Sequence, residues 1–115
     1  MKKLFENIRD YLPLKVEFLE IEEYYISFGA KDWNFYSDSN WRLLKGKNVI
    51  MSDDNFDLES FRKIIFSEII QNIIPLTNDM IEPVFNIGNI YKLEIFSKTE
   101  SEPWKLSLPD IVYVP

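Results

Sequence analysis

The chain has 115 residues, a net charge of −6 and an aromatic content of 16%, which is one domain's worth of a folding, acidic sequence. It holds no cysteine and no histidine, so disulfides, thiolate nucleophiles, imidazole bases and Cys/His metal sites are excluded. The acidic balance is the wrong sign for a general nucleic-acid binder.

Residues 2–12 place Leu4, Phe5, Ile8, Tyr11 and Leu12 on one arc of about 120° at helical spacing, with Lys3, Glu6, Asn7 and Asp10 opposite. A short amphipathic N-terminal helix is expected there, stopped by Pro13. With polar residues interrupting the apolar ones, no secretory leader is expected, and no apolar run approaches the ~20 residues of a membrane span. A cytoplasmic setting is the expectation.

Residues 15–21 and 24–28 are rich in β-branched and aromatic side chains and are expected as strands. A turn at 29–32, a strand at 33–37 and a polar turn at 37–40 follow. Residues 41–44 and 48–51 flank Lys45-Gly46-Lys47 and predict a hairpin. Residues 58–74 are expected as the main helix, with Asp57 as its N-cap and Pro75 as its stop. Its wheel is apolar almost all round through Leu58, Phe61, Ile64, Ile65, Phe66, Ile69, Ile70 and Ile73. Such a helix must be covered on more than one side, by the sheet and either the N-terminal helix or a second copy of the chain.

Gly88-Asn89 between two apolar runs, 81–87 and 90–97, is a two-residue hairpin signal. Trp104, Leu106 and Leu108 alternate with Lys105 and Ser107 in a last strand, and residues 111–114 are expected as an edge segment or a surface wrap. The sum is a single α+β domain over residues 1–115: a largely antiparallel sheet of about six or seven strands, one long helix packed on a face, and the short N-terminal helix.

Few residues offer chemistry. Asp53, Asp54 and Asp57, with Glu59 nearby, form the densest acidic group. They suit a hard-cation site or a carboxylate pair, but the glycine and distal glutamate of a calcium loop are missing. Helix-start electrostatics is the preferred account, and recognition of a basic partner is a third. Arg42 beside Trp41 suits an anion, or else stacks on an aromatic or pairs with Asp53 or Asp54. Trp33, Trp41, Trp104, Tyr24, Tyr25, Tyr36 and Phe35 are expected mainly in the core, with the surplus forming an exposed aromatic patch. Glu20, Glu22, Glu23, Glu100 and Glu102 are expected as solvated strand or loop ends that also steer a basic ligand. Three glycines, each in a different turn, leave no phosphate-binding loop.

The order of elements in residues 24–108 resembles a group of short uncharacterised bacterial α+β domains. The resemblance is carried by the aromatic strand ending near Gly29, Trp41-Arg42, Asp53-Asp54 before a helix, the Gly88 hairpin, Leu93-Glu94-Ile95-Phe96 and Trp104-Lys105-Leu106. Some proteins of this kind look like immunity proteins of polymorphic toxin or contact-dependent inhibition systems. The resemblance implies a non-catalytic protein-binding module that neutralises a basic toxin domain by stoichiometric occlusion. Candidate partner contacts are Asp53, Asp54, Glu22, Glu23, Tyr25 and Tyr36, with aromatic anchors and carboxylates that imitate phosphates if the toxin is a nuclease. No catalytic residue, metal ligand set, cofactor, nucleic acid or membrane is expected. The alternatives are a small Asp/Glu-dependent, Mg-assisted enzyme drawing on Asp53, Asp54, Asp57 and Asp79, or a structural homodimer through the long helix.

Overall fold

A computed structural model describes residues 8–75, 82–96 and 104–114. Eleven strands are present among them. They are β1 (Leu14–Lys15), β2 (Phe18–Glu22), β3 (Tyr25–Gly29), β4 (Asn34–Ser37), β5 (Trp41–Lys45), β6 (Asn48–Ser52), β7 (Ile69–Pro75), β8 (Pro83–Ile87), β9 (Tyr91–Ile95), β10 (Trp104–Leu108) and β11 (Ile111–Tyr113). One α-helix, α1 (Leu58–Ser67), separates β6 from β7. The strands form two antiparallel sheets, ordered β1-β7-β8-β9-β5-β6 and β11-β10-β4-β3-β2. This corrects the expected single sheet of six or seven strands.

The reason lies in alternation. In β8 and β9, Phe85, Ile87, Leu93 and Ile95 are fully buried, and in β3, β4 and β10 so are Ile26, Phe28, Phe35 and, nearly, Trp104 and Leu106. Each sheet therefore has one wide apolar face, and two such faces bury each other. Phe85 of the first sheet meets Phe28 and Phe35 of the second at ring-centroid distances of 5.1 and 4.7 Å, both edge-on. Edge-on rings pair the positive rim of one with the negative face of the next. Trp33 and Trp104 extend this seam, and the Trp33 indole N–H donates to Lys15 O at 3.0 Å.

The long helix is the second correction. Asp57 caps it as expected, its carboxylate accepting from Glu59 N, but the helix ends at Ser67. The Ser67 hydroxyl donates back to Lys63 O at 2.7 Å, and Glu68 is extended with φ −121° and ψ 174°. Ile69, Ile70, Ile73 and Ile74 belong to β7, which pairs with β8 and β1. A run of isoleucines fits a buried strand as well as a helix, and the cross-strand pairing decides. Pro75 thus ends a strand, opposite Pro83. The helix lies beside β2, the edge of the second sheet. Its buried Phe61 and Ile65 enter the shared core, with Leu58, Ile64 and Phe66 half-buried against it. The all-round apolar wheel, which suggested a homodimer, came from joining this helix to a strand.

At the N-terminus, residues 2–7 of the expected helix lie outside the described residues. Residues Ile8–Tyr11 make one 3-10 turn, closed by Leu12 N donating to Arg9 O at 3.2 Å. The hairpins at Gly46 and Gly88 are present, and both glycines take φ of +61°, a conformation that other residues adopt at a cost. The tail adds β11 as an edge strand on β10. Position 81 and Ser97, the outer ends of two expected strands, lie outside the described residues.

Edge strand β6 leaves Val49 and Ile50 51% and 41% exposed. Its pairing with β5 skips Ile50, and such a bulge twists an edge away from further pairing. Among the described residues, no helix is long and apolar enough to cross a membrane.

The aromatic seam packs the two sheets against each other. Phe85→Ala is expected to destabilise the fold by about 3–5 kcal/mol, read as a lower urea midpoint, because neighbouring rings cannot close the cavity.

Candidate functional site

Antiparallel pairing carries three chain reversals to one end of the sandwich. Tyr25 begins β3 opposite Glu22, and Ile26 pairs with Ser37, so the residues after β4 lie beside the β2–β3 turn. From there the chain crosses to β5 of the other sheet at Trp41. The 52–55 turn is fastened to the same point. Asp53 N donates to Trp41 O at 3.2 Å, and Trp41 N donates to the Asp53 carboxylate at 3.1 Å. Asn40 O also accepts from Phe96 N at 2.9 Å.

The result is an open groove of about 350 Å³ lined by Glu22, Glu23, Tyr24, Tyr25, Asp38, Ser39, Asn40, Trp41 and Asp53. Four of these are carboxylates, and none of the described residues lining the groove is basic. Tyr24 is the most exposed large hydrophobic residue described, at 76%. At the groove's margin, Tyr25 stacks on Tyr36 at 5.4 Å with 25° between the rings, and Tyr36 is 42% exposed. The Tyr25 hydroxyl donates to Glu20 Oε2 at 3.3 Å. Partial burial, followed by the Glu20 charge and its hydrogen bond, holds this phenol above its ordinary pKa of 10.0.

Of the six candidate contacts, Glu22, Glu23, Tyr25 and Asp53 line the groove, and Tyr36 adjoins it through the ring stack. Asp54 is exposed in the same turn but does not line it. Sequence reading missed Tyr24 and Asp38 as members. Treating β2, β3 and β4 as a meander would have set Asp38 opposite Tyr25, because antiparallel register continues one step beyond Ile26–Ser37.

The other candidates are occupied in structural tasks. The Asp57 carboxylate accepts from Ser60 Oγ at 2.8 Å and Glu59 N at 3.2 Å, and these bonds hold its pKa below the usual carboxylate value. Arg42 pairs with Glu94, directly opposite on β9, rather than with Asp53 or Asp54, and its guanidinium lies 5.2 Å from the Phe96 ring centre. Trp33, Phe35, Trp41 and Trp104 are buried, and Trp41 packs between Phe56 and Phe61. Among the described residues, no three acidic side chains converge as metal ligands would. Asp79, Glu100 and Glu102 lie outside the described residues.

No family model, curated protein or solved structure matches the chain.

Two outcomes follow from this geometry. Asp53→Ala removes the acceptor for a part-buried Trp41 N–H and is expected to cost about 1–2 kcal/mol by urea denaturation, while Asp53→Asn retains most of the stability through its amide oxygen. Glu20→Gln is expected to lower the Tyr25 phenol pKa towards its ordinary value, read by NMR titration of ring-labelled tyrosine. With the raised pKa, the folded chain keeps its proton where the unfolded chain loses it, so stability from this phenol falls as pH rises above 10.

Proposed function

We propose that the chain is a non-catalytic protein-binding module of the immunity type, which neutralises a basic bacterial toxin by stoichiometric occlusion. The supporting observation is the convergence of Glu22, Glu23, Asp38 and Asp53 with exposed Tyr24 and half-buried Tyr25 at one end of the sandwich. Carboxylates of one sign on a concave surface attract and orient a basic protein before contact. Tyrosines then supply large apolar contact at small conformational cost. The groove is braced by backbone bonds from Trp41, Asp53, Asn40 and Phe96, so little ordering is needed when a partner docks.

If the partner is a nuclease, the carboxylates take the place of substrate phosphates. The partner is met in the cytoplasm in this reading. The enzyme alternative draws no support from Asp57, whose carboxylate caps the helix, or from Asp53, which accepts from Trp41 N.

The test isolates the partner from the native host and measures association by stopped flow. The rate constant should fall steeply with added salt, and a Glu22→Lys/Glu23→Lys variant should associate about tenfold or more slowly at low salt, with the gap closing at high salt. A rate that is flat with salt, or a variant that matches the parent, removes the steering mechanism.

A further inference from the structure

The outer face of the second sheet carries a feature that the groove does not absorb. Across β2, β3, β4 and β10, the register sets Glu20, Ser27, Tyr36 and Lys105 in one row. One step along, Glu22 faces Tyr25. Tyr25 and Tyr36 stack diagonally between these rows, and Glu20 fixes the Tyr25 hydroxyl. Two nearly parallel rings thus stand on an exposed sheet face, with two exposed carboxylates on the β2 side and one lysine on the β10 side.

Resting on the reading of a basic protein partner, we infer that this tyrosine pair is the seat of an arginine side chain of that partner. A guanidinium is planar and weakly hydrated, so it stacks on an aromatic ring while its N–H groups reach carboxylates at the rim. An ammonium is a compact, strongly hydrated charge and gains less from a flat ring pair. Glu20 and Glu22 supply the negative charge on one side. Lys105, directly across from Tyr36, repels a cation on the other and confines it to the β2 side. The same acidic side continues through Glu22 and Tyr25 into the groove, so one partner surface spans both features.

The test titrates the intact chain at low salt with three capped tripeptides, Gly-Arg-Gly, Gly-Lys-Gly and Gly-citrulline-Gly, followed by amide and tyrosine-ring NMR shifts. The arginine peptide should shift Glu20, Tyr25, Ser27 and Tyr36 saturably and bind about threefold or more tightly than the lysine peptide, with citrulline weaker than both. Tyr25→Leu, which removes the ring on the β2 side, should lose this preference. Glu20→Gln/Glu22→Gln, which changes only exposed side chains, should weaken the arginine peptide about fivefold. Equal shifts from arginine and lysine overturn the guanidinium seat and leave a basic partner in place. Shifts confined to Asp38, Asn40 and Asp53 overturn its location in the same way. An absence of saturable shifts overturns the seat outright, and the partner reading is judged separately by the salt dependence of association.

Discussion

The edge-on packing of Phe85 against Phe28 and Phe35 is the contact from which the architecture follows. Neither sheet can leave its inner face in water, and aromatic rings bury more apolar area than any other side chain. Once the sheets meet along this seam, pleat places much of the rest of the core. Ile26, Leu43, Ile87, Leu93 and Ile95 fall on the inner faces because they sit an even number of residues from a seam or seam-facing position, or pair across from one. Helix α1 adds Phe61 and Ile65 to the same core, and so ties the 52–57 segment to the sandwich.

That packing also sets where charge gathers. Both the β2–β3 turn and the β4–β5 crossing lie at one end of the sandwich, and the Asp53–Trp41 bond pair pulls the 52–55 turn to them. Asp53 therefore has two consequences from one position. One of its oxygens satisfies a backbone amide that would otherwise lose a partner on burial, and its charge joins those of Glu22, Glu23 and Asp38 around the groove. The acidic character of the end is a by-product of fastening as well as of surface composition. By contrast, Arg42 is neutralised within its own sheet by Glu94 and does not reach the groove.

The sequence reading and the structure part at identifiable residues. The hairpins around Gly46 and Gly88 were legible because a left-handed turn residue stands between two apolar runs. The Asp57 cap was legible because capping is a local hydrogen-bonding problem. Ile69 to Ile74 were not legible as a strand, since two isoleucine pairs split by Gln71-Asn72 recur at a four-residue spacing that fits a helical face, while β-branched residues equally suit a strand. Only the pairing of Ile70 with Ile87 and of Ile73 with Phe85 separates the two. The acidic end was half legible: Glu22, Glu23, Tyr25 and Asp53 were singled out as types, but Asp38 joins them only through the pairing of β3 with β4.

By itself, the amino-acid order determined the chemistry on offer and the local geometry: no imidazole or thiol, an excess of carboxylates, turns at Gly46 and Gly88 and a capped helix start. These depend on residue type and on neighbours a few positions away. The split into two sheets, the end of the helix at Ser67 and the meeting of Asp53 with Trp41 were decided only in three dimensions. Each depends on which distant apolar face or unpaired amide a segment meets, and that is a property of the assembled core.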